Sequence, residues 1–157
     1  MTEKATFGAG CFWGVEMRFR ELDGVVDAPV GYSGGHVDQP TYQQVCTDQT
    51  GHVEVVEVEF DPERVSYERL VREFFKLHDP TQVNRQGPDV GRQYRSVIFS
   101  HDDAQREIAE RVRAELDQSG QFSKPIATSI EPAATFWRAE EYHQQYLARR
   151  GGTCGIG

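Results

Sequence analysis

An α+β fold is predicted for this 157-residue chain: a two-layer sandwich with a mixed sheet built around a split βαβ (ferredoxin-like) core, plus an irregular C-terminal extension. Two observations carry that expectation. Hydrophobic spacing alternates between strand and helix periods in the order βαββαβ as far as the apolar run ending at Ser100, and glycines or capping residues stand where the spacing changes. Another helix, a strand and a last helix are appended after it, which places additions beyond the fourth strand.

Taken in order, residues 4–8 alternate as a strand, and residues 13–22 carry a helical stripe ended by Gly24. β-branched residues over 25–31 and the alternating run 52–60 give two more strands. Residues 66–77 read as a helix capped by Ser66, with Leu70, Phe74 and Leu77 on one stripe and Val71 and Phe75 widening it. A fourth strand is expected over 94–100, a helix over 102–118 stopped by Gly120, a fifth strand over 126–130 and a last helix over about 139–149. Residues 33–51 and 78–92 are rich in Gly, Pro, Asp and Gln, and irregular stretches this long inside a domain tend to carry function. One domain over 1–157 is expected, with 150–157 a flexible tail; at 38% hydrophobic residues the chain buries roughly 70% of its unfolded surface without staples.

Charge narrows the partners. A net charge of -8 and no basic stripe argue against nucleic acid and anionic membranes. With no apolar leader and no run of about 20 apolar residues, a cytoplasmic monomer is expected. Three cysteines in a reducing compartment suit redox or nucleophilic work better than a disulfide framework.

Gly8-Ala9-Gly10-Cys11-Phe12-Trp13-Gly14 sets one cysteine between a strand and a helix start, where unpaired N–H groups and the helix dipole favour the thiolate. Phe12 and Trp13 offer a flat apolar surface for a methyl or thioether group. On the strand at 52–60, His52, Glu54, Val56, Val58 and Phe60 share one face. Glu54 therefore lies against apolar surface, which raises its pKa and keeps a proton ready near neutrality. In the tail, Cys154 sits among four glycines, four or so residues beyond the expected last helix, a reach of roughly 14 Å. Such a thiol suits a resolving cysteine. Cys46, without flanking flexibility, reads as packed and inert, and His52 and His143 as hydrogen-bonded structural residues.

These residues resemble the A-type peptide methionine sulfoxide reductases. Gly10-Cys11-Phe12-Trp13-Gly14 is similar to that family's signature, and further similar motifs follow in the same order. They are Gly31-Tyr32-Ser33-Gly34-Gly35, Tyr42 to Cys46, Gly51 to Val56, His78-Asp79-Pro80-Thr81, Asp89-Val90-Gly91, Gln93-Tyr94-Arg95-Ser96 and Glu141-Tyr142-His143. The resemblance implies that Cys11 is the catalytic cysteine and that Glu54, Tyr42, Asp89 and Tyr94 complete a pocket with Phe12 and Trp13. It implies selectivity for the S epimer of methionine sulfoxide, with Asp89 binding a substrate nitrogen. Joined to the residue chemistry, it gives attack of the Cys11 thiolate on sulfur, a proton from Glu54 helped by Tyr42 and Tyr94, and a sulfenic acid on Cys11. Cys154 then forms a disulfide that thioredoxin or a similar dithiol reduces. No metal or cofactor is expected. Two alternatives stay open at this point: a cysteine hydrolase or amidotransferase pairing Cys11 with one of His36, His52, His78, His101 or His143, and a zinc module using the three cysteines and a histidine.

Overall fold

The computed structural model describes residues 1–147. In chain order the elements are β1 (Glu3–Ala9), α1 (Phe12–Arg20), β2 (Val25–Asp27), β3 (Val30–Ser33), α2 (Tyr42–Cys46), β4 (Val53–Phe60), α3 (Tyr67–Lys76), β5 (Arg85–Gln86), β6 (Asp89–Val90), β7 (Ser96–Ser100), α4 (Asp103–Gln118), β8 (Ser129–Pro132) and β9 (Trp137–Arg138). Two 3-10 turns, Arg92–Tyr94 and Glu141–His143, flank the site described below.

The main sheet runs β8-β7-β1-β4-β3-β9, with β2 paired to the end of β4. Its central strands, β7-β1-β4-β3, are all antiparallel, and α1 and α3 cross over between strands in the split βαβ manner. Parallel pairing of β8 to β7 makes the sheet mixed. One face carries Ala5, Phe7, Ala9, Val56, Val58, Phe60 and Ile98 against α1, α3 and α4, with Phe7 stacked on Phe19 and Phe74 at 5.0 and 5.3 Å between ring centroids. Each fully buried aromatic there contributes about 1.5–3 kcal/mol. On the other face, Val53, Val55, Val97 and Phe99 pack beneath Ala133 and Phe136. The fold is thus mixed α+β, with the helical layer on one side of the sheet.

Local signals place the helices well. Ser66 accepts the Arg69 N–H and Asp102 the Gln105 N–H, capping α3 and α4. Elsewhere the structure departs from the expected boundaries. The strand expected over 25–31 is two, because register shifts between Val25 and Asp27 and the chain bends at Ala28-Pro29, where proline has no N–H to give. The fourth strand begins only at Ser96, leaving Tyr94 in a turn, and the fifth lies at Ser129–Pro132. Within the irregular stretch at 33–51 stands α2, fixed by a Thr41–Gln44 capping box that is readable in the sequence.

Where a helix is expected over 139–149, residues 139–145 instead hold the 3-10 turn and a reversal at Gln145 with φ 54°, helical backbone begins only at Tyr146 and Leu147, and 148–149 lie outside the described residues; β9 stands just before this stretch. β9 pairs with β3, opposite Gly31 and Tyr32. Only glycine fits at 31, since a Cβ there would lie 2.3 Å from the Trp137 carbonyl oxygen. Gln144 then ties this segment to the sheet: its amide accepts the Val30 N–H at 2.9 Å and donates to the Val30 and Ala139 carbonyls at 2.9 and 3.0 Å. These long-range bonds outcompete local helix preference.

Candidate active site

Cys11 is the N-cap residue of α1, half-buried, so its sulfur stands at the positive end of the helix where a thiolate is favoured. Gly10 before it takes φ 97° and rests on the Gln86 side chain; that left-handed turn lets β1 deliver the cysteine directly to the helix start.

The first N–H of α1, on Phe12, donates to Glu54 Oε1 at 3.3 Å, so strand β4 and the helix start meet beside Cys11. Glu54 is 1% exposed, and its Oε2 is buried without a hydrogen-bond partner. Burial pushes its carboxyl up to about 8; the Phe12 N–H works against that rise and the charge of Asp89 adds to it. That shift favours the carboxylic acid near neutral pH, with one oxygen held by the Phe12 N–H and the other buried without a partner.

Tyr42 opens α2 and Tyr94 ends the 3-10 turn, and both feel the charge of Glu54. Burial, with Glu54 next, raises both phenols, so the two hydroxyls remain proton donors. Asp89 is half-buried on β6, close enough for its charge to reach Glu54 and Tyr94. Six of the sequence-derived residues, Cys11, Phe12, Glu54, Tyr42, Tyr94 and Asp89, thereby belong to one electrostatic and hydrogen-bonded neighbourhood, and Trp13 joins them through its ring contact with Tyr42 at 6.5 Å. Cys154 lies outside the described residues.

Two expectations need correction. Phe12 is buried, packed on Tyr32, His143 and Tyr42 at 5.7, 5.2 and 6.4 Å, so it backs the pocket and only Trp13 keeps open apolar surface. Cys46 is exposed at the end of α2, not packed away, and its thiol meets the hydroxyls of Tyr42 and Tyr94. Its sulfur is nonetheless partly desolvated, which pushes the thiol up and keeps it neutral. The spacing of α2, unread in sequence, is what turns Cys46 toward the pocket.

Other contributors come from the segment expected to be a single helix, of which 139–145 is not helical. His143 is fully buried and its Nδ1 accepts the Trp13 Nε1–H at 3.0 Å, while Tyr146 stacks on the indole at 3.9 Å. Glu140 accepts the Tyr42 N–H at 3.0 Å and the Tyr32 hydroxyl at 2.9 Å, fixing the start of α2 beside β3. Helical spacing hid them, because their roles depend on partners about a hundred residues away. His52 bonds Gly35 and Val37, and His78 bonds Phe74 and Ser96 with burial pushing its imidazole down to about 4; both are structural. Among the described residues no three His, Cys, Asp or Glu side chains converge as a metal site, and no helix is long and apolar enough to cross a membrane.

Comparison with known proteins agrees with this geometry. The chain matches the peptide methionine sulfoxide reductase family over residues 3–155. It is 62% identical over 150 residues to peptide methionine sulfoxide reductase MsrA of Methanoculleus marisnigri, covering 96% of this chain and 92% of that one. To the MsrA of Acidobacterium capsulatum it is 60% identical over 154 residues, covering 98% and 99%. Among solved structures, reduced Mxr1 from Saccharomyces cerevisiae superposes with a TM-score of 0.92 at 37% identity, covering 99% of this chain and 89% of Mxr1. Mxr1 in complex with Trx2 gives a TM-score of 0.66 at 30% identity, covering 92% and 84%. A cysteine at a helix N-cap beside a buried, protonated acid, in a chain this similar throughout, leaves one assignment: this protein belongs to the peptide methionine sulfoxide reductase family.

Proposed function

We propose that this enzyme reduces methionine S-sulfoxide, free or within proteins, with Cys11 as nucleophile and Glu54 as proton donor. One observation carries it: Glu54 Oε2, buried and without a partner, on an acid that is protonated near neutrality and held by the N–H next to Cys11. A sulfoxide oxygen is the acceptor such a group lacks. The Cys11 thiolate bonds to the sulfoxide sulfur while Glu54, with the Tyr42 and Tyr94 hydroxyls, protonates the oxygen. The protonated oxygen then passes to the cysteine sulfur as the substrate's S–O bond and the new S–S bond both break, the electron pair of the S–S bond returning to the thioether, so methionine leaves and Cys11 becomes a sulfenic acid. The Cys154 thiol attacks that sulfur, forming a Cys11–Cys154 disulfide and releasing water.

A dithiol such as thioredoxin then reduces the disulfide by exchange, a step supported by the complex of Mxr1 with Trx2. Methionine sulfoxide is neutral and dipolar; Trp13, with Phe12 behind it, holds the methyl group, and Asp89 reads a substrate nitrogen. The family resemblance disfavours acyl transfer from Cys11, which needs no acid on a buried strand face. The acidic chain with its three thiols suits a monomer repairing oxidised proteins in a reducing cytoplasm.

The test is a racemic aryl methyl sulfoxide with dithiothreitol. One enantiomer should disappear, and Cys11→Ser should abolish its loss; consumption of both enantiomers, or turnover by the serine variant, refutes the assignment.

A further inference from the structure

His143 carries a buried polar group that the chemistry above leaves unused. Its Nδ1 accepts the Trp13 Nε1–H at 3.0 Å, and burial pushes the imidazole's pKa down, with the charge of Glu140 opposing, so the ring is neutral near neutral pH. A neutral imidazole that accepts at one nitrogen carries its proton on the other. Nε2–H is therefore a donor, buried without a hydrogen-bond partner among the described residues, in a side chain that is 0% exposed. An orphaned buried donor costs stability, whereas an apolar side chain of similar volume would fill the place without that cost. Stability of the fold thus does not account for a histidine here; the hydrogen bond its ring does make is to Trp13. That ring is firmly placed. The 3-10 turn Glu141–His143 is tied to β3 through Gln144, and the imidazole packs on Tyr142, Tyr42 and Phe12 at 4.1, 4.4 and 5.2 Å between centroids.

Tyr146 and His143 both hold the Trp13 indole, and they fix different things. Tyr146 stacks on it at 3.9 Å with 10° between planes, which sets the plane of the ring. Stacking is nearly indifferent to turning the indole over within that plane, and a torsion onto a flat ring has roughly two-fold freedom. The hydrogen bond is not indifferent: only one of the two arrangements directs Nε1–H at His143 Nδ1, so this bond decides where the six-membered ring lies. We propose that His143 is a positioning residue that sets substrate specificity: by holding the Trp13 N–H it fixes the edge of the indole that bounds the site for the substrate's S-methyl group, and so limits the size of alkyl group accepted. The proposal rests on Trp13 holding that methyl group. His143 acts through the indole.

The experiment uses the full chain with dithiothreitol and compares an aryl methyl sulfoxide with its ethyl counterpart, read as the ratio of their kcat/KM values. One methylene at a shaped apolar site is worth about 10–200-fold, so the parent should favour methyl clearly. In His143→Leu, close to the imidazole in volume, the ratio should fall about tenfold while the melting temperature stays within about 5 °C of the parent. His143→Asn keeps an amide oxygen for the Trp13 N–H but fills the place less well; it should melt below His143→Leu and yet hold the ratio within about threefold of the parent. Proton NMR reads the bond itself: of the two tryptophan indole N–H resonances, one should move upfield in His143→Leu and stay near its parent position in His143→Asn. A parent without preference for methyl, a ratio unchanged in His143→Leu, or a ratio that follows melting temperature across the three proteins overturns the proposal. If His143→Leu does not fold, a lost preference in His143→Asn overturns it alone. Trp13→Phe is run alongside. If that variant keeps the parent's preference, the reading of Trp13 as the residue that holds the methyl group fails; if it loses the preference while His143→Leu keeps it, only the positioning role fails.

Discussion

Replacing Glu54 with glutamine separates the acid from its place in the fold. The amide oxygen still accepts the Phe12 N–H, so the helix start keeps its contact with β4, while the proton on the second oxygen is gone. General acid catalysis contributes about 10²–10⁴-fold, so oxygen transfer in a single turnover without dithiol should slow by that factor, equivalent to roughly 3–5 kcal/mol of barrier. The pH dependence gives a second reading. Glu54 moves from 4.5 to about 8 on folding, so the parent's rate should fall about tenfold per pH unit above 8, and the variant should lack that limb. Stability moves the other way. Above 4.5 the unfolded chain gives up this proton while the folded chain keeps it until about 8, so the parent loses stability as pH rises through that window. The loss approaches roughly 5 kcal/mol at its upper bound, or about 10–20 °C in melting temperature, and Glu54→Gln should escape it. Rapid-quench assays and thermal melts over about pH 5 to 9 check the two halves. A glutamine variant that transfers oxygen within about threefold of the parent and keeps the alkaline limb would refute the proton-donor argument.

Three further outcomes are expected. Gly10→Ala forces a Cβ within 2.8 Å of Gln86 at a φ of 97°, and Gln86 is tied to Asp79 through both its amide atoms; a loss of about 1–3 kcal/mol in denaturant melts should result, with slower oxygen transfer. Glu140→Ala frees the N-terminus of α2 and the Tyr32 hydroxyl, and should lower kcat about tenfold with a smaller change in KM; an unchanged kcat would mean that Tyr42 is placed without it. Tyr42→Phe and Tyr94→Phe should each slow the single turnover by about tenfold, and the double variant by more than either alone; two silent variants would leave the proton to Glu54 by itself.

What the sequence by itself determined is local. The strand–glycine–cysteine–helix junction at Cys11, the alternation that turns Glu54 to the apolar face of β4, and the caps at Ser66 and Asp102 are all written within a few residues of where they act. Tertiary structure decided whatever depends on a distant partner. Glu54 meets the Phe12 N–H across 42 residues, Glu140 reaches Tyr42 across 98, and Glu16 takes the Gln145 N–H across 129. Helical spacing over 139–149 pointed to a helix, yet propensity differences of a few tenths of a kcal/mol per residue yield to several buried hydrogen bonds of about 1 kcal/mol each. Cys46 is exposed yet beside the pocket, because the Thr41–Gln44 cap and the Glu140 carboxylate together build a helix that ends with its thiol near Tyr42 and Tyr94.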